Sequence, residues 1–185
     1  AADPESVYGR RIQLVEEYVK PMHDLKEQLG RKRENVPKYR LHAAPALAGK
    51  KLDGRIDDEK YWRETNADLR DAQTGNLAPR DQGARFRALW ADKSLCFGIR
   101  CSEPDMKNLN CGHAGKGAAG IREGDFVEIL LETSTHSYYR ITVSPDGVIE
   151  DADCHDGLNE KWNSLAQAAI YKGDDFWSAE IRIPL

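Results

Sequence analysis

Short runs in which apolar residues occupy every second position dominate residues 84–184, and such runs commit a chain to strands. In "ARFRALW" Phe86, Ala88 and Trp90 share one side, and in "SLCFGIRC" Leu95, Phe97, Ile99 and Cys101 do. "DFVEILL" sets Val127, Ile129 and Leu131 against Phe126, Glu128 and Leu130, and "SYYRITV" sets Tyr139, Ile141 and Val143 against Tyr138, Arg140 and Thr142. "GVIEDADC", "LAQAAIY" and "FWSAEIRIPL" continue the series. Strands this closely spaced, with little helix between them, predict a mainly β protein, an antiparallel sandwich. The Gly-bearing stretches 63–83 and 102–124 are expected as long loops.

The first part of the chain has a different period. Asp3-Pro4 reads as a helix start, and Val15, Tyr18, Val19, Met22, Leu25 and Leu29 recur at helical spacing. Pro21 should kink or split that helix, and Gly30, "RKR" and Pro37 mark its end. The expected organisation is a helical linker or appendage over 1–37 and a sandwich over 38–185. The final "IRIPL" looks like the end of a strand, so the natural protein is expected to continue beyond it.

Charge and apolarity narrow the function classes. The net charge is −4 and basic residues are interleaved with acids, which does not suggest nucleic-acid binding. No apolar run approaches the roughly 18 residues of a membrane span. Cys96, Cys101, Cys111 and Cys154 form no CxxC pair; they are read either as free thiols or as including one disulfide, with Cys111–Cys154 the preferred pair. No P-loop, dinucleotide fingerprint or Ser/His/Asp arrangement stands out, and Asp125 and Glu128, three apart on a strand, point to opposite faces.

Five segments, taken in order, resemble the family 9 carbohydrate-binding modules. "LDGRIDDEKYW" is similar to the family's opening DG-x-hydrophobic-D-E-x-x-W, and "ARFRALWADKSLCFGIRCSEPD" to its next two strands. In that second segment Trp90 and Leu95 match, Ala91 and Cys96 replace Asp and Tyr, and Glu103-Pro104 replaces Asp-Pro. "GDFVEILLE", "YYRITVSPDG" and "WSAEIRIPL" resemble the later strands. The resemblance covers about residues 40–185. It implies a jelly-roll sandwich that binds sugar without catalysis, within a larger secreted protein of polysaccharide metabolism, extracellular or periplasmic. The expected partners are a mono- or oligosaccharide, held on a concave sheet face, and a neighbouring domain of the same chain. The alternative is a structural sandwich that packs on a neighbour and has no sugar affinity.

By the same resemblance the sugar-binding residues are Glu128 and Arg140 on adjacent strands, with Arg122 standing where the family has a clamping Trp. The second clamp Trp would fall beyond Leu185. A hairpin loop centred on Ser134 would set Glu128 directly across from Arg140, away from the core. That pair reads either as a cross-strand ion pair contributing about 0.2–1 kcal/mol or as a ligand contact. Trp62, Trp90 and Trp177 are expected in the core; Trp162, flanked by polar residues in "NEKWNS", is a sugar-stacking platform or a cap on the core rim. Glu103, Asp105, Asp151 and Asp153 are either solvated acids or ligands of a structural calcium, which such modules often hold. His113 with Met106 raises a third reading, a haem-carrying sandwich.

Overall fold

The alternating segments are strands in the computed structural model, which describes residues 42–43, 51–57, 62, 67–71, 74–112, 118–134 and 137–185. The strands are β1 (His42–Ala43), β2 (Ala67–Asp68), β3 (Ala84–Ala91), β4 (Ser94–Ser102), β5 (Val127–Ser134), β6 (Ser137–Val143), β7 (Ile149–Asp153), β8 (Gln167–Lys172) and β9 (Phe176–Pro184). Among the described residues a 3-10 turn (Met106–Asn108) and a short α-helix, α1 (Ala118–Ile121), precede β5. The chain divides at Tyr39/Arg40, and the helix expected over 1–37 lies outside the described residues, as does His113.

The strands form two sheets. The larger runs β1-β3-β4-β9-β8, with β2 also on the outer edge of β3; the smaller runs β5-β6-β7. All pairings are antiparallel except that of the two-residue β1. Asp92 and Lys93, both at positive φ, make the two-residue turn that joins β3 to β4. The stretch expected as a featureless loop over 63–83 holds β2 and an isolated bridge between Arg70 and Leu77.

The core lies where the alternation puts it. Val127, Ile129, Ile141 and Val143 of the small sheet pack with Ile99, Trp177, Ala179, Ile181 and Ile183 of the large one. Each such side chain removed from water contributes about 1.5–3 kcal/mol. The other face of the large sheet is also covered. Ile56 and Trp62 cluster there with Leu89, Ala91 and Cys96. Gly98 of β4 makes this possible: a Cβ there would come within 2.9 Å of Ile56 and 3.2 Å of the Trp62 ring.

One charge holds that covering segment down. Glu180, with no exposed surface, accepts from the Asp53 N–H at 2.8 Å and the Gly54 N–H at 3.1 Å through Oε2. Its Oε1 accepts from the Trp62 indole N–H at 3.2 Å. The Ser178 hydroxyl donates to the Gly54 carbonyl at 2.7 Å. Gly54 sits at φ +77°, and a Cβ there would overlap the backbone of Ile170 and Tyr171. The DG…W pattern is thus a strap fastened to β9.

Three expectations are corrected. Trp90 is 42 % exposed and outside the core, because it lies next to the end of β3, near the Asp92-Lys93 turn, on the side opposite buried Leu89 and Ala91. All four cysteines are free thiols, so Cys111 and Cys154 are not joined. Burial pushes the Cys101 thiol up to about 12, with the Asp125 charge acting the same way, which leaves it protonated and inert. The third correction concerns the hairpin register: Glu128 pairs with Thr142 and Arg140 with Leu130. From Val127 to Glu132 each partner is two residues later than expected, and the ladder is irregular between Glu132 and Ser134. A shift of two leaves each side chain on the face its parity predicts.

Candidate carbohydrate-binding face

The outward face of β5-β6-β7 is built row by row from that register. One row reads Glu128, Thr142, Glu150 and the next Leu130, Arg140, Ala152. Thr142 and Ala152 are fully buried although they point away from the core, so other side chains cover them. Arg122 does much of this. It follows α1, whose Ile121 is fully buried and anchors the approach. Asn110 staples the same loop: its side chain donates to the Glu123 carbonyl at 3.0 Å, and its backbone carbonyl accepts from the Asp125 N–H at 2.6 Å.

The guanidinium of Arg122 reaches across the row. Its Nη2 donates to Glu128 Oε2 at 2.9 Å and to the Thr142 hydroxyl at 3.0 Å, and its Nη1 stands 3.9 Å from Glu150 Oε2. The Thr142 hydroxyl in turn donates to Glu128 Oε2 at 3.1 Å. Arg140 lies diagonal to Glu128, with Nε 4.0 Å from Oε2, and its Nη2 is 3.9 Å from Glu160 Oε1. Arg122, Glu128 and Arg140 are therefore brought together. Thr142, Glu150 and Glu160 join them; sequence reasoning missed these three. The Ser144-Pro145-Asp146-Gly147 turn carried the signal, since its Gly147 closes a bond to the Ser144 carbonyl and sets Glu150 opposite Thr142.

Glu150 is the strained member. Its Oε2 is buried without a hydrogen-bond donor, the Arg122 contact at 3.9 Å being an ion pair only. Burial raises its carboxyl above the ordinary 4.5, with the Glu160 charge acting the same way and both arginines opposing. The folded state thus holds this proton more tightly than the unfolded one. Its contribution to stability is full below the ordinary glutamate value and is lost as pH rises through the raised one. Glu150→Gln should therefore flatten the fall of the urea midpoint with rising pH above 4.5, measured by fluorescence from about pH 4 to 8.

Trp162 lies elsewhere. It stacks on Tyr139, with centroids 4.6 Å apart and planes 23° from parallel, and Tyr139 points to the face opposite its neighbour Arg140. His155 leans on the same Tyr139 ring at 4.7 Å and meets Asp153 Oδ1 through Nδ1 at 2.6 Å. That hydrogen bond holds the Asp153 carboxyl below its usual range. The acids read as calcium ligands have partners of their own. Asp151 accepts from the Ser164 N–H and hydroxyl at 2.6 Å each, Glu103 from the Asp105 N–H, and Asp105 from Asn108. Among the described residues no three His, Cys, Asp or Glu side chains converge as a metal site, so these four acids do not form one donor set.

Two open clefts bear on binding. One of about 340 Å³ is lined by Arg140, Ile149, Glu150, Asp151 and Glu160. A larger one of about 570 Å³ lies along β2, β3 and β4, where Arg85 and Arg100 are engaged with Asp68 and Asp175. The smaller cleft adjoins the Arg122–Glu128–Thr142 network and is the better candidate.

No protein-family model matches this chain, and no curated protein matches it. Solved structures do. A family 9 carbohydrate-binding module from Caldicellulosiruptor kristjanssonii, in complex with glucose, is similar at 20 % identity and a TM-score of 0.50, over 80 % of this chain and 69 % of that one. A family 9 module from the same organism in complex with cellotriose is similar at 17 % identity and a TM-score of 0.45, over 80 % and 68 %. The sandwich of this chain is thus like that of family 9 modules in fold.

Proposed function

We propose that the sandwich is a non-catalytic carbohydrate-binding module that holds sugar on the outward face of β5-β6-β7. The observation carrying this reading is the network of Arg122, Glu128, Thr142 and Arg140 on a solvent-facing sheet. Guanidinium donors beside a carboxylate acceptor match the vicinal hydroxyls of a sugar, each of which donates and accepts. The fold shared with a glucose-bound module supports it.

Glycoside hydrolysis needs two carboxylates with a free gap between them for the scissile bond. Here the Arg122 guanidinium lies between Glu128 and Glu150, within 2.9 Å of one and 3.9 Å of the other. That favours binding over chemistry. In this reading the domain anchors a neighbouring domain of an extracellular or periplasmic protein to its substrate. No helix among the described residues is long and apolar enough to cross a membrane.

Titration calorimetry with glucose and cello-oligosaccharides tests it. Glu128→Ala and Arg140→Ala should each weaken binding about tenfold, the order expected for a charge-assisted hydrogen bond, with little change in melting temperature. Unchanged affinity in both variants dismisses this face. Absence of binding at about 10 mM sugar favours the purely structural sandwich.

A further inference from the structure

Resting on the sugar-binding reading, we propose that the cleft between Arg140, Glu150 and Glu160 takes the protonated amine of a 2-amino sugar, so that the preferred ligand is a glucosamine-type oligosaccharide rather than a neutral one. The argument is one of charge and of hydrogen bonds left open. Among the described residues the ion pairs of Glu128, Glu150 and Glu160 run to Arg122 and Arg140, while Asp151 at the cleft wall is held by the uncharged donors of Ser164. Three glutamates thus share two guanidiniums.

The excess sits at one end. Arg122 gives its short contacts to Glu128 and Thr142, at 2.9 and 3.0 Å. Glu150 and Glu160 have their nearest guanidinium nitrogens at 3.9 Å, beyond hydrogen bonding. The Glu160 charge raises the Glu150 carboxyl, so the two repel across the cleft. Glu160 is 54 % exposed and lines the opening. A cation entering there would stand beside Glu150 Oε2, which is buried without a hydrogen-bond donor.

An ammonium brings three donors, one of them to the orphaned Glu150 Oε2, while Arg140 beside it supplies donors to a neighbouring hydroxyl or ring oxygen. Ala152, across from Arg140 in the ladder, puts only a methyl group beneath. The combination of carboxylates, a guanidinium and a cleft of about 340 Å³ fits a hydroxylated cation of monosaccharide size. A uronic acid would place a fourth negative group among the three glutamates.

The test titrates the full chain at about pH 6, where a free amine is protonated, with cellotetraose, a β-1,4-glucosamine tetramer, its N-acetylated form and a uronic-acid oligomer. The glucosamine tetramer should bind at least about tenfold more tightly than cellotetraose, lose that margin on N-acetylation, and weaken on raising salt from about 20 to 200 mM. Glu160→Gln and Glu150→Gln should each reduce the glucosamine-to-cellotetraose affinity ratio to within about twofold of unity. Equal or tighter binding of cellotetraose, tightest binding of the uronic acid, or a margin that survives in both variants overturns the proposal while leaving sugar binding intact. Displacement of the amine sugar by calcium chloride alone overturns it in favour of a metal site. Failure of every sugar to bind defeats the underlying sugar-binding reading.

Discussion

Glu180→Ala should lower the unfolding free energy by about 3–5 kcal/mol, read from urea melts, although the residue lies far from any ligand face. The side chain has no exposed surface and accepts from Asp53, Gly54 and Trp62. Its loss leaves two backbone N–H groups and an indole N–H without their acceptor, at about 1–3 kcal/mol for each that water cannot reach. It also opens a void beneath Trp62, which is 2 % exposed. Glu180→Gln separates charge from shape: it keeps one carbonyl acceptor but turns the other oxygen into a donor facing a donor. The amide should recover only part of the loss, and full recovery would mean that volume alone matters there.

Arg122→Ala should weaken sugar binding by about 30- to 100-fold, more than either Glu128→Ala or Arg140→Ala, because bound sugar would desolvate the charge pair and truncating one partner then strands the others. Arg122 donates to Glu128 and Thr142 and stands as an ion pair with Glu150. Without it three glutamates face one arginine, and Glu128 loses its shortest ion pair. The stability effect should be small, since the Arg122 and Glu128 side chains are each 29 % exposed and solvent screens such pairs. Arg122→Lys should recover little binding: an ammonium is a point charge and cannot span Glu128 and Thr142 with a fixed fork. Calorimetry beside thermal melts distinguishes the two effects. A binding loss matched by an equal loss of stability would mean that Arg122 only holds the loop.

Parity carried most of what could be read from residue order. The faces of β5 and β6 follow from alternation alone, and they survived an error of two in register because two steps restore the same side. The slip between Glu132 and Ser134 had no signature in "ETSTHSYY", where each residue tolerates either a strand or a turn. Parity says nothing of what covers Ser178 and Glu180. They alternate with Trp177, Ala179 and Ile181, and both are buried where Asp53, Gly54 and Trp62 meet β9. Local pattern cannot reveal a cover supplied by a segment more than a hundred residues away. For Trp162 the polar flanks left a stacking platform and a cap on the core rim equally open, and Tyr139 occupies one face of the ring. Glu150 and Glu160 were visible as acids, but their convergence on Arg140 needed the β6–β7 ladder and the bridge between Asp153 and Asn159 that turns the chain back.

The position of β9 has a consequence for the chain as it leaves the ribosome. β9 lies between β4 and β8, and it carries the acceptor that the strap needs. Until it emerges, β4 offers an open inner edge, and the Gly54 and Trp62 donors wait for a partner 126 and 118 residues downstream. The β5-β6-β7 meander depends on near neighbours only and can form first. A nascent chain would then present its small sheet, the proposed sugar face, before its large sheet can close, and the exposed β4 edge is where a chaperone would be needed.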